Sequence, residues 1–66
     1  MIIYLNEQKH EVEDGASLAF FVEKLGLKPQ GIAIAINEEV VPKSRWDTTI
    51  LSDKLELLLI HAVSGG

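Results

Sequence analysis

Few side chains in this sequence are suited to covalent chemistry. No cysteine is present, which excludes disulfides and thiolate metal sites. His10 and His61 are the only histidines, and both lie in or beside segments that read as strands. The serines and aspartates form no triad-like or metal-ligand grouping with them. His61, close to the end, could touch a partner, but a strand-end histidine at a wet edge is the plainer reading. Glu7, Glu11, Glu13 and Asp14 read most simply as a solvated face. The sequence then stops at Ser64-Gly65-Gly66. Glycine has no Cβ, so such a backbone can approach other groups closely and adopt most φ/ψ values. Two glycines make a thin, adaptable leash, and Ser64 adds little bulk. Read alone, the same end is equally a frayed terminus.

Elements must position that end. Ile2 to Leu5 reads as a strand, Asn6-Glu7-Gln8-Lys9 as a polar turn, and His10 to Glu13 as a weaker second strand holding Val12. Asp14-Gly15 is a turn signal. Ser17 can cap a helix whose Leu18, Phe21, Val22 and Leu25 share one apolar face. Gly26 suits a left-handed stop with Leu27 folding back on Val22, and Pro29 forbids continuation. Gly31 to Asn37 alternates isoleucine and alanine, a strand with the isoleucines on one face. Asn37-Glu38-Glu39 turns the chain into Val40-Val41, ended by Pro42 and therefore at a sheet edge. Trp46, Ile50 and Leu51 are expected to anchor an irregular loop from Lys43 to Ser52. Lys54 to Val63 is a long last strand, apolar enough for the middle of the sheet and able to pair in parallel with the first. Domain boundaries follow: one domain over residues 1–63 and a Gly-Gly tail over 64–66.

The last strand is apolar on both faces, and one helix covers only one. Leu55, Leu57 and Leu59 are expected inward with Ile3, Leu5, Ile34 and Ile36, Ile32 being left out by its own register. Leu58, Ile60 and Ala62 then face outward, with Ile2, Tyr4, Ala33 and Ala35 nearby, as a patch suited to docking a partner. Phe20 lies opposite the apolar helix face and is expected to pack on a neighbouring loop. Trp46 is expected in the core.

Composition sets the remaining bounds. With 66 residues the chain is a single domain, burying only about 60% of its unfolded surface, so the 47% apolar residues must supply the core without a staple. Six basic against ten acidic residues give a net charge of −4. That disfavours nucleic acid and anionic membranes, and permits a partner with a basic docking surface. Met1 to Leu5 meets Asn6 and Glu7 at once, too short for a signal peptide or a membrane span. The cytoplasm is the expected compartment.

Three local stretches carry a resemblance: Ala35-Ile36-Asn37 ending the third strand, Val41-Pro42 followed by Trp46, and Leu57 to Leu59 leading into Val63-Ser64-Gly65-Gly66. On these, and over essentially its whole length, the chain resembles the ThiS family of sulfur carrier proteins. The fold implied is α+β: a ubiquitin-like β-grasp, with a mixed sheet of about five strands and one helix packed on one face. Two departures stand out. Leu51-Ser52-Asp53-Lys54 has no glycine where the family often has an acidic-glycine turn, and the helix carries Phe20 where a polar residue is expected.

The resemblance implies a cycle in thiamine biosynthesis. A ubiquitin-activating-type adenylating enzyme (ThiF-like) uses ATP to convert the Gly66 carboxylate to an acyl-adenylate. A sulfur donor replaces AMP, leaving a thiocarboxylate, and a thiazole synthase (ThiG-like) takes the sulfur. The chain itself would bind no cofactor and would be a substrate rather than an enzyme. Any side chain at position 66 should obstruct the adenylating site. Three alternatives stay open: the small sulfur-carrying subunit of molybdopterin synthase, a ubiquitin-like protein modifier, and a binding module whose tail is irrelevant.

Overall fold

Two Asn-Glu pairs close the two hairpins of the sheet. The computed structural model describes residues 1–61, so the expectations placed on Ala62, Val63 and Ser64-Gly65-Gly66 lie outside the described residues. Strands β1 (Ile2–Leu5) and β2 (Gln8–Glu11) are joined by Asn6-Glu7, and β3 (Ile32–Ile36) and β4 (Glu39–Val41) by Asn37-Glu38. All four turn residues have positive φ, from 49° to 69°. That is the signature of type I′ turns, whose twist matches the strands they connect. The tight turn corrects the sequence reading of β2. The strand begins at Gln8, not His10, and ends before Val12, which enters the core instead.

Helix α1 (Leu18–Lys24) forms as its punctuation requires. The Ser17 hydroxyl accepts from Phe20 N at 3.1 Å. Gly26 sits at φ +74°, with Gly26 N donating to Glu23 O and Leu27 N to Val22 O, the paired bonds of a Schellman stop. A loop holds the helix start: Leu18 N donates to Thr49 O, Ala19 N to Trp46 O, and Leu51 N to Ala16 O. Trp46 and Leu51 are buried, and Trp46 Nε1 donates to Val41 O at 2.9 Å. Ile50 does not anchor this loop. It pairs with Ser17 through backbone and leaves its side chain 58% exposed. The backbone bonds of the loop fix its register, so alternate residues face opposite ways.

Strand β5 (Leu55–His61) lies in the middle of the sheet, whose order is β2-β1-β5-β3-β4. It runs parallel to β1 and antiparallel to β3. This is the β-grasp layout, one helix over one face of a five-stranded mixed sheet. Ile3, Leu5, Ile34 and Leu57 meet Leu18, Phe21 and Val22 in the core, with Ile36, Leu55 and Leu59 half-buried against it. Ile32 belongs to the same face and is buried, contrary to the expectation that its register excludes it. Strict alternation along β3 puts all three isoleucines on one side. His10, opposite Ile3, packs edge-on against Phe21 at 5.6 Å between ring centres.

The join into β5 replaces the missing glycine by other means. Lys54 takes the left-handed conformation itself, at φ 65°. Asp53 Oδ1 accepts from Ile2 N at 2.8 Å, and Lys54 N donates to Ile2 O at 2.6 Å.

Candidate functional site

Alternation along β5 decides what the uncovered sheet face presents. Leu57 is buried, while Leu58 and Ile60 are 51% and 41% exposed. Leu58 pairs with Ala35 and Ile60 with Ala33, so small residues of β3 lie beside the large ones of β5. Ala35 also pairs with Val40 of β4, which is 56% exposed. Leu58, Ile60 and Val40 therefore form an apolar surface around a buried Ala35. Val40 was missed in the sequence because only its pairing across the edge hairpin puts it there; parity carried from Ala35 through the turn could have found it.

Ile2 and Tyr4 are on the same face but half-buried. Tyr4 pairs with Glu56 on one side and Lys9 on the other, so Glu56 separates it from Leu58. Ala62, placed on this face by parity, lies outside the described residues, as do Ser64, Gly65 and Gly66. His61 is exposed and pairs with Ile32 at the described end of β5. Phe20 is 42% exposed and lines a small hollow with Asp14 to Ser17, less covered than expected.

Asn6 fixes the strand that leads toward the chain end. Its backbone N donates to Leu57 O at 3.0 Å. Its Oδ1 accepts from Leu59 N at 2.8 Å, and its Nδ2 donates to Leu59 O at 3.4 Å. From the sequence Asn6 reads only as a turn residue. Beside it, Glu7, Ala35, Asn37, Glu38, Glu56 and Leu58 help line an open hollow of about 500 Å³. Among the described residues, no three His, Cys, Asp or Glu are grouped to hold a metal. What this arrangement can do is present a shaped face and a braced central strand just ahead of Ala62 to Gly66.

Comparison with known proteins decides the family. The model of the ThiS family matches residues 2–66, nearly the whole sequence. The chain belongs to the ThiS family. It is 32% identical over 66 residues to the sulfur carrier protein ThiS of Escherichia coli, covering all of both chains. It is also 29% identical over 66 residues to a thiazole synthase of Magnetococcus marinus, of which it covers 20%. The crystal structure of the thiamine biosynthesis protein ThiS from Geobacter metallireducens has a TM-score of 0.86, with all of both chains covered. At 17% identity that likeness speaks to the fold, and it is the ThiS β-grasp. Within the ThiS frame, the matched residues include the Gly65-Gly66 end as well as the sheet that carries it.

Proposed function

We propose that the chain is the sulfur carrier of thiamine (thiazole) biosynthesis and that its working group is the Gly66 carboxylate. The observation that carries this reading is the end-to-end match to a sulfur carrier, Gly-Gly terminus included. A carboxylate is a poor electrophile until it gains a leaving group. A ubiquitin-activating-type adenylating enzyme joins it to the AMP part of ATP and releases pyrophosphate. A sulfur donor at the oxidation level of sulfide then attacks the carbonyl carbon. The bond to AMP breaks, and a thiocarboxylate remains. ATP is used by the partner enzyme, and the chain contributes no catalytic side chain.

The sulfur acceptor in this reading is a thiazole synthase. Its support is the Magnetococcus marinus thiazole synthase, which carries a ThiS-like segment within its own chain. Covalent linkage raises the effective concentration of one module at the other, which suits partners that must meet repeatedly.

In the same reading, residues 1–63 are the β-grasp body and residues 64–66 the tail that enters partner sites. Leu58, Ile60 and Ala62, with Ile2 and Tyr4 at the margin and Val40 added, are the docking face. The same reading has the carrier at work in the cytoplasm, the compartment expected from the sequence. Among the described residues no helix is long and apolar enough to cross a membrane.

Intact-protein mass spectrometry tests the proposal. The chain is incubated with ATP, a sulfur source and the adenylating enzyme, beside a Gly66-deleted control. The expected result is a mass gain equal to replacing one oxygen by sulfur, absent from the control. No gain, with the enzyme shown active on another carrier, would overturn it. Transfer of that sulfur to a molybdopterin synthase large subunit instead of a thiazole synthase would reassign the pathway.

A further inference from the structure

Strand β2 forms one edge of the sheet, with β1 its neighbour on the inner side. Just beyond its end, Met1 and Val12 exchange both backbone bonds. Val12 N donates to Met1 O at 2.9 Å, and Met1 N to Val12 O at 2.7 Å. Bonded and non-bonded pairs alternate along an antiparallel ladder. From Met1–Val12 the register runs through Ile2–Glu11, Ile3–His10, Tyr4–Lys9 and Leu5–Gln8. His10 and Gln8 therefore bond to β1, whereas the N–H and C=O of Lys9 and Glu11 point away from it. Both residues are exposed, and among the described residues no loop backbone group caps them.

Their side chains share the uncovered sheet face, beside Tyr4 and Ile2. Among the described residues the one ion pair is Met1 N with Asp14, at 3.3 Å, so Lys9 and Glu11 have no charged partner there. A lysine on an edge strand ordinarily keeps other strands away, because its charge goes unmet. A second copy of this same edge meets it. Two copies of β2 related by a two-fold axis can set outward residues against outward residues in three registers. One puts Lys9 against Lys9, and another Glu11 against Glu11; each joins like charges through a single bonded pair. The third puts Lys9 against Glu11 of the second copy, and Glu11 against its Lys9. That register alone makes two bonded pairs, and in both the charges are opposite, which favours cross-strand pairing. Bonding and charge thus select the same register. The far edge of the sheet offers less: β4 has three residues and is followed by Pro42, which has no N–H to donate.

We propose that β2 is a self-recognition edge, pairing antiparallel with β2 of a second copy in the Lys9–Glu11 register. The product is one continuous ten-stranded sheet with both helices on one side. His10 meets its counterpart at the axis, on the helix side. The two faces around Leu58 stay open on the other side, because β5 lies two strands in from the joint, roughly 10 Å away. A four-residue edge buries little surface, so the pairing belongs to the weak, transient class.

The test is sedimentation and amide hydrogen exchange on the full chain between about 10 μM and about 1 mM, a range suited to weak association. We expect monomer at the low end and dimer at the high end. Exchange should slow with concentration at the Lys9 and Glu11 amides, while His10, already bonded to β1, stays unchanged. Lys9→Glu and Glu11→Lys should each associate about tenfold more weakly alone. An equimolar mixture of the two should recover dimerisation, since every facing pair is then opposite in charge. The mixture also controls for folding, as it contains only the two weakened chains. Lys9→Glu with Glu11→Lys in one chain should recover it as well. A monomer at every concentration overturns the inference. So does a dimer that ignores these substitutions, or slowed exchange at Val40 in place of Lys9 and Glu11.

Discussion

The side-chain amide of Asn6 brackets the backbone of Leu59, accepting from its N at 2.8 Å and donating to its O at 3.4 Å. Strand β1 has ended at Leu5, so a side chain takes over where the parallel ladder to β5 stops. Asn6 also holds a φ of 49°, which asparagine tolerates better than most residues. Asn6→Ala should destabilise by about 1–2 kcal/mol, combining the lost bonds with left-handed strain. Asn6→Gly keeps the turn and loses the bracket, so it should lower stability less. In both, hydrogen exchange at the Leu59 amide should accelerate; unchanged protection in Asn6→Gly would show that the side chain holds nothing.

Lys54 occupies a conformation that glycine adopts without strain, at φ 65°. Lys54→Gly should therefore stabilise by up to about 1 kcal/mol in urea denaturation. Asp53→Ala should do the reverse, losing about 1 kcal/mol with the bond to Ile2 N. A loss of stability in Lys54→Gly would mean that chain entropy outweighs the relieved strain.

Adjacent phenylalanines in α1 should respond in opposite ways. Phe21 is 1% exposed and Phe20 is 42% exposed. Phe21→Ala should cost about 3–5 kcal/mol, enough to unfold much of a domain this small. Phe20→Glu should melt cooperatively with a change under about 1 kcal/mol. A large loss in Phe20→Glu would mean that its packing over the Asp14 to Ser17 turn matters more than its exposure indicates.

Trp46 is the sole tryptophan, is buried, and donates to Val41 O. Its emission should shift to the red on unfolding, in one transition coincident with circular dichroism. Trp46→Phe fills most of the space but leaves Val41 O without this donor, a loss of about 1–3 kcal/mol. Separate transitions by the two probes would mean that the Lys43 to Ser52 loop opens ahead of the sheet.

Much of this was legible because local signals agreed with the global fold. Ser17, Gly26 and the Leu18-Phe21-Val22 stripe bound α1 without tertiary help, and alternation sorted β5 and, Ile32 apart, β3 into their two faces. What escaped depended on contacts between distant residues or on unusual backbone. A type I′ turn built from Asn-Glu rather than Asn-Gly hides the start of β2 at Gln8. Lys54 hides its left-handed turn in the same way. The Asn6 to Leu59 bracket links residues 53 positions apart, beyond any local pattern. Ile50 was misplaced because hydrophobicity alone does not reveal which way a loop side chain points.

The position of β5 bears on when this protein can fold. The hairpins β1–β2 and β3–β4 touch the sheet only through β5, which is made after both of them. A nascent chain that stops short of Leu55 holds two separate hairpins, each too small to persist in water. Joining the first strand to the last closes a loop of about 50 residues, a long-range step that sets the pace of folding. The sheet therefore assembles only once β5 has been made, and the face around Leu58 comes into being with that strand.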